Sequence, residues 1–248
     1  MMNFFCPELL ETDYVKKLRA SDEGSKACGL FNPFRSCQVL LENLSLAFEY
    51  NPNQATRFSK RIISEQRDFK NCEAIFTEII VYTFYLRLFR EGILKSIDCV
   101  QDDYDLRIIM RDGVEHYLEV FSLMPEIKND DRSHLMSTHL QDDVNSVRQK
   151  LYRKIEKQKQ LSKSRLNYAV IEANRPIIAD DFTFLFSFSN GYKIQINTKT
   201  GRSISEGFDW SDNVFGLELT QHIRGILYFF MGDYNNRRFL LNPNFKPD

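Results

Sequence analysis

The sequence lacks most of the signatures that assign a chain to a known chemistry. Its five cysteines are an odd number and widely spaced, which argues against a disulfide framework and against a zinc site. It has no phosphate-binding glycine loop and no dinucleotide glycine pattern, and its four histidines lack zinc-ligand spacing. Unpaired cysteines are typical of a reducing compartment, so we expect a cytoplasmic protein.

Long apolar runs and a strong net charge are absent as well. No stretch of ~20 uninterrupted apolar residues exists, and the richest segment, 75–89, carries Glu78 and Arg87. The start has neither the basic cluster nor the apolar run of a signal peptide. The net charge is −1 and 43% of the 248 residues are hydrophobic, so a substantial core is expected. We therefore expect no membrane partner, and any anionic partner must bind a local patch.

The first seventy residues have the pattern of a helical region. Apolar residues at helical spacing predict helices over Pro7–Ala20 and Arg35–Tyr50, with a loop over Asp22–Gly29. Asn51 can cap a third helix, and Pro52 fits its first turn. The outer side of that helix carries the basic residues Arg57, Lys60, Arg61 and Arg67. They are either an ordinary solvated face or one edge of a groove for nucleic acid.

Two short strands joined by a tight turn are the most informative feature of the chain. Residues 104–110 and 114–121 are rich in β-branched and aromatic side chains, which favours strands. A three-residue loop over 111–113, with Gly113 in the left-handed conformation, sorts polar and apolar side chains onto separate faces better than a two-residue loop does. We therefore predict the three-residue loop.

This loop decides which side chains meet across the hairpin. Leu106 then faces Leu118, and Asp105 faces Glu119 with Cβ atoms ~4.5–5.5 Å apart. Two carboxylates this close repel each other unless a cation lies between them, and Mg²⁺ prefers oxygen ligands. Each acid also has an ordinary explanation, Asp105 as a solvated strand end and Glu119 as the wet face of an edge strand.

Asp105, the hairpin and then Glu119-Val120-Phe121 resemble the PD-(D/E)xK nuclease superfamily. The resemblance covers roughly residues 72–175. It implies a restriction-endonuclease-like α/β fold, a mixed sheet flanked by helices, with a metal-binding glutamate on the helix before the sheet. Glu78 is the better match for that glutamate and Glu73 is the second choice, although Glu78 also suits a helix face that reaches solvent. The implied ligands of a magnesium ion are Glu78, Asp105 and Glu119.

One residue departs from the family pattern in a way that affects function. Phe121 stands where the family has a lysine that helps to activate the attacking water, and Tyr104 stands where it has proline. Phenylalanine cannot take the role of that lysine. Either Lys150 or Lys154 replaces it from the following helix, or the site binds without cutting.

A predicted helix over residues 141–162 concentrates positive charge behind the hairpin. Lysine and arginine side chains neutralise backbone phosphates, so this helix is a candidate contact for DNA or RNA. The candidate residues are Arg148, Lys150, Arg153, Lys154 and Lys157. An ordinary solvated helix is the alternative, because both residue types are good helix formers.

The chain divides into three regions in this interpretation. Residues 1–70 are a helical N-terminal region, 71–175 a nuclease-like α/β core, and 176–248 a β-rich extension packed on the core. Strands are expected over 166–172, 192–198, 222–231 and 237–241, and the alternating phenylalanines of 182–188 favour either a strand or a short helix.

The leading hypothesis for function is a Mg²⁺-dependent phosphodiesterase that acts on DNA or RNA. The alternative is a catalytically inactive module of the same fold that binds nucleic acid or a protein partner. Whether the chain forms a homodimer is left open.

Overall fold

A six-stranded mixed sheet with helices packed against one face forms the centre of the fold. The computed structural model describes residues 6–27, 32–100, 104–123, 165–173, 192–196, 203–208, 214–216 and 218–246, with the single positions 149, 153 and 200. The α/β class is therefore confirmed. Within the described residues, no helix is long and apolar enough to cross a membrane.

The α-helices whose bounds are described lie in the first ninety residues, where helices were predicted, but their boundaries differ at the start. They are α1 Pro7–Leu10, α2 Asp13–Ala27, α3 Cys37–Tyr50, α4 Pro52–Glu65 and α5 Phe69–Arg90. The predicted helix from residue 7 is split, because the Thr12 hydroxyl accepts the Val15 N–H and begins a new helix. The predicted loop after residue 21 is wrong up to Ala27. Its polar residues continue α2, and Asp22 Oδ2 accepts the Cys37 N–H at the start of α3.

One helix start follows its predicted cap, and a second start has a cap that the sequence analysis did not name. The Asn51 side chain accepts the Gln54 N–H, and Pro52 occupies the first turn of α4. The Asp68 side chain accepts the Asn71 N–H at the start of α5. Helix α5 is apolar on most sides because it packs against α3 and α4 as well as against the sheet.

The central sheet has the strand order β1-β2-β3-β4-β7-β8. The strands are β1 Leu94–Val100, β2 Tyr104–Met110, β3 Glu115–Leu123, β4 Leu166–Ala173, β5 Tyr192–Ile196, β6 Ser203–Phe208, β7 Ile223–Phe230 and β8 Arg238–Leu241. Strands β3, β4 and β7 run parallel, and the other neighbours in this sheet are antiparallel. Strands β5 and β6 pair as a separate two-stranded sheet.

The tail strands β7 and β8 belong to the same sheet as the predicted core. β7 pairs with β4, and β8 pairs back onto β7 as expected. Strand β1 has no counterpart in the sequence interpretation. The predicted helix 141–162, apart from two single positions, and the segment 182–188 lie outside the described residues.

The hairpin of β2 and β3 has the predicted loop. Leu106 pairs with Leu118, and Gly113 has a φ of +88°, in the left-handed region that glycine tolerates. The Gly113 N–H donates to the Met110 carbonyl at 3.0 Å, and the Met110 N–H donates to the Val114 carbonyl at 2.9 Å. The three-residue loop and the Leu106–Leu118 register are confirmed.

Each face of the sheet packs its own core. The helix-side core contains Leu118 and Val170 together with the apolar side chains of α3, α4 and α5. The far-side core contains Phe121, Ile171 and Tyr228. Alternate residues of one strand therefore lie in different cores, and this alternation shows which face a polar side chain occupies.

A buried ionic network joins the helical region to the sheet. Arg35 Nη1 donates to Glu172 at 2.6 and 2.7 Å, and its Nε donates to Glu73 at 2.7 Å. Thr77 donates to Glu172, and Tyr14 donates to Glu73 at 2.6 Å. Glu172 is completely buried. The network therefore links α2, the segment before α3, α5 and β4.

The charged groups of this network shift each other's pKa. Burial alone would lower the pKa of Arg35, but the carboxylates of Glu172 and Glu73 outweigh burial and raise it. Burial raises the pKa of Glu172, and Arg35 and Thr77 only partly offset that effect. Glu172 therefore keeps its proton to a higher pH than an exposed glutamate does.

We predict that Arg35→Ala lowers the free energy of unfolding by about 3–5 kcal/mol, because two buried carboxylates lose their cation. Urea denaturation measures the change. The control is Arg19→Ala, an exposed arginine on α2, which should change stability by less than about 0.5 kcal/mol. A cost for Arg35→Ala as small as that of the control would contradict the network's role.

We predict that Glu172→Gln becomes more stable relative to the native protein as the pH rises above 4.5, the ordinary carboxyl pKa. The folded protein keeps a proton that the unfolded chain loses, so this contribution is full below that pH and is lost as the pH rises through the raised pKa. Glutamine cannot titrate. Urea denaturation from pH 4 to pH 8 tests this, and parallel stability profiles for the two proteins would refute it.

Candidate functional site

A bulge in β2 determines where Asp105 lies. Asp98 pairs with Arg107 and Val100 pairs with Tyr104, so three steps along β2 match two steps along β1. One extra residue on β2 therefore interrupts the alternation of side chains between Arg107 and Tyr104. Asp98 is part of β1 and forms a salt bridge with Arg107.

The bulge turns Asp105 towards the helices. Tyr104 lies on the far side, where its hydroxyl donates to Asp98 and its ring packs edge-on against Tyr117. The Asp105 charge raises the pKa of Arg61, on α4, and that of Cys99, which packs against the helix-side core. Asp105 Oδ2 also accepts the Val120 N–H at 2.8 Å, so the carboxylate reaches across to β3.

Glu119 lies on the opposite face of the sheet. It alternates with Val120 of the helix-side core and shares the far side with Phe121, and its side chain is 0% exposed. The described contacts therefore do not bring Asp105 and Glu119 together across the hairpin, although the loop was predicted correctly. The physical reason is the bulge at Asp105, which lies where β2 pairs with β1.

Glu78 lies on the helix side and is held by an arginine. Both of its oxygens accept hydrogen bonds from the Arg61 guanidinium. Burial opposes the charge of Arg61, but the hydrogen bonds and charge of Glu78 outweigh it and raise the pKa of Arg61. Burial, with the charges of Glu78 and Asp105, raises the pKa of Cys99. Glu78, Arg61, Asp105 and Cys99 thus form one electrostatic neighbourhood.

The predicted magnesium ligands do not converge in the described part of the chain. Glu78 is bound by Arg61, Asp105 accepts a backbone N–H, and Glu119 lies across the sheet. No group of three or more His, Cys, Asp or Glu suited to a metal occurs among the described residues. Magnesium stays a prediction, and the proposals below do not depend on it.

The outer face of α4 forms a polar groove of about 520 Å³ beside this neighbourhood. It is lined by Asn53, Thr56, Arg57, Lys60, Arg61 and Ser64. These described lining residues include three cations and three neutral hydrogen-bonding side chains, and none of them is acidic. We call this surface the α4 groove. It has the chemistry of a site for an anion with several oxygen acceptors.

Of the five candidate contact residues on the predicted basic helix, one lies among the described residues. Arg153 is exposed, and Arg148, Lys150, Lys154 and Lys157 lie outside the described residues. Their predicted roles in catalysis and phosphate binding stay predictions.

Comparison of the chain with protein-family models, with curated proteins and with solved structures finds no match. Its function has to be inferred from its own surfaces.

Sequence reasoning missed two arginine partners. It treated Arg61 as part of a solvated face and gave Arg35 no role, whereas each binds a glutamate of α5. A usable signal for Arg35 was Glu172, an acid at the end of a buried apolar strand, since a buried carboxylate needs a cation or donors. The identity of that partner depends on tertiary packing.

We predict that Arg61 and Glu78 are energetically coupled by about 1–3 kcal/mol in a double-mutant cycle of Arg61→Met and Glu78→Gln. Their side chains are only 28% and 16% exposed, so the pair is shielded more than a surface pair. Urea denaturation gives the four free energies. Arg67→Met replaces Arg61→Met in the control cycle, because Arg67 is exposed and follows α4. Equal coupling in both cycles would contradict the prediction.

Proposed function

We propose that this protein binds the phosphate backbone of a nucleic acid along the α4 groove, as a module that does not hydrolyse it. The observation that carries the proposal is the convergence of Arg57, Lys60 and Arg61 in one groove whose described lining contains no acid. The net charge of the chain is −1, so this concentration of positive charge is local. Phosphate oxygens are natural partners for such a groove.

The spacing of the cations suits an extended polyanion. Arg57, Lys60 and Arg61 lie three and four residues apart on one helix, so their side chains share one face. Thr56 and Ser64 extend the row along the same face, and their hydroxyls donate to the Pro52 and Arg61 carbonyls of the helix. Glu78 holds Arg61 in place, which orders one donor of the groove before any ligand binds.

The order of elements supports a nuclease-like core for this module. Helix α5 precedes three antiparallel strands, β1 to β3, and β4 then pairs parallel to β3. The resemblance implies this succession of a glutamate-bearing helix, an acid-bearing hairpin and a further strand. The basic segment around Arg153 remains a second predicted phosphate contact.

Three features favour binding over hydrolysis. Phe121 replaces the lysine of the family motif and is buried in the far-side core. Glu119 does not share a face with Asp105, and Glu78 is neutralised by Arg61. A hydrolytic site built from these carboxylates would require the Arg61–Glu78 ion pair to break. It would also require Asp105 and Glu119 to move to the same face of the sheet.

We predict that the protein binds labelled DNA or RNA oligonucleotides at low salt in chelator, that Mg²⁺ weakens this binding as a competing cation does, and that neither condition leads to cleavage. Fluorescence anisotropy measures binding, and gel electrophoresis measures cleavage. The double variant Arg57→Gln/Lys60→Gln removes two phosphate contacts. For a duplex, the logarithm of the association constant should then depend less steeply on the logarithm of the salt concentration, with the magnitude of the slope lower by roughly 2, because each contact contributes about 0.9.

A charge-matched control separates the groove from overall charge. Lys17→Gln/Arg19→Gln removes the same two charges from an exposed part of α2 and should leave the salt slope unchanged. Absence of binding, or equal slopes in both double variants, would refute the groove as the contact. Mg²⁺-dependent cleavage that disappears in Asp105→Ala would replace the proposal with the nuclease hypothesis.

A further inference from the structure

A second concave surface lies on the helix side of the sheet, beyond the end of α5. It encloses about 450 Å³, a volume in the range of small-molecule sites. Its floor is apolar and crosses several strands, with Ile108 on β2, Leu118 on β3 and Leu227 on β7. Tyr85, on α5, closes one side. We call it the sheet pocket.

Aromatic rings form the wall of the sheet pocket nearest to β8. His116 and Tyr168 lie with ring centroids 5.2 Å apart and planes 31° apart, and Phe239 follows at 6.0 Å from Tyr168. Phe239 is 48% exposed, so part of its ring is open to solvent at the edge of the pocket. Flat rings offset in this way suit a planar apolar ligand.

Gly225 allows this wall to form. It lies on β7 opposite Tyr168, and a Cβ there would stand 2.8 Å from the Phe239 ring and 2.6 Å from the Leu240 carbonyl oxygen. The ring of Phe239 therefore lies over Gly225, and the Cβ of any other residue at position 225 would push the ring away. The pocket floor is wider here because Gly225 has no side chain, and not because two strands are separated.

Among the described residues that line the sheet pocket, Arg237 is the one cation, and Arg224 lies close enough to the lining residue Tyr168 for its charge to offset part of the rise in the pKa of that phenol. The Arg237 guanidinium stacks on Phe84 at 4.3 Å and on Tyr234 at 5.0 Å, and its Nη1 donates to the Tyr234 carbonyl at 3.3 Å. No carboxylate of the described residues forms a salt bridge with it. Burial lowers the pKa of His116, which disfavours a positive charge on that ring, so Arg237 is the cation of the described lining that an anionic group would meet.

We propose that the sheet pocket binds a small planar apolar molecule that carries one anionic group, of the aromatic carboxylate or sulfonate class. The rings and aliphatic floor receive the apolar part. The anionic group accepts hydrogen bonds from the outer nitrogens of Arg237, whose stacked position is set before binding. This site is separate from the α4 groove, and it does not depend on the function proposed for that groove.

The test uses two fluorescent probes that differ only in charge class, anilinonaphthalene sulfonate and neutral N-phenylnaphthylamine. The native protein should bind one sulfonate probe per chain. Arg237→Met should weaken the sulfonate probe about tenfold and the neutral probe by no more than about twofold, because only the charged hydrogen bonds are lost. Arg237→Lys should retain part of the preference for the sulfonate.

Two further variants keep the result interpretable. Arg238→Met removes the neighbouring exposed arginine of β8 and should change neither affinity. Phe239→Ala removes an exposed wall and should weaken both probes without unfolding the protein, as judged by circular dichroism. The proposal is overturned if the native protein binds neither probe, if Arg237→Met binds the sulfonate as the native protein does, or if it loses both probes equally. A native dimer whose formation excludes the probes would also overturn it, by assigning the surface to a second copy of the chain.

Discussion

The buried guanidinium of Arg35 is the interaction on which the arrangement of the molecule depends. It binds Glu73 of α5 and Glu172 of β4 at once, with the Tyr14 hydroxyl on Glu73 and the Thr77 hydroxyl on Glu172. Transferring these charges from water to the interior is costly, and only the complete set of hydrogen bonds offsets that cost. The network is therefore a constraint on geometry more than a source of stability, because it tolerates one placement of the helices on the sheet.

This constraint extends to both candidate sites through α5. Glu73 and Thr77 face the network, and the adjacent Glu78 faces α4 and holds Arg61 in the α4 groove. The far end of the same helix supplies Tyr85 to the sheet pocket. One helix thus contacts both surfaces, through Glu78 near its middle and through Tyr85 closer to its C-terminal end. Neither surface uses Glu119, which is buried on the other side of the sheet.

The sequence was most informative where local chemistry decides structure. The caps at Asn51 and Pro52, the left-handed Gly113 and the strands β4, β7 and β8 follow from neighbouring residues. The site was less predictable because its geometry depends on distant contacts. The bulge at Asp105 lies where β2 pairs with β1, and the partners of Glu78 and Glu172 come from α4 and from the segment before α3. Alternation along β3 correctly placed Glu119 relative to Phe121, but it could not place Asp105.

Hydrogen–deuterium exchange across a urea series tests the central role of Arg35 most directly. Slowly exchanging amides of α3 and of β4 can be followed separately in the native protein. If Arg35 fastens the helical region to the sheet, both sets should lose protection in one cooperative transition with the same free energy of opening. Loss of protection in α3 at clearly lower urea than in β4 would show that the helices open independently, and would contradict this account.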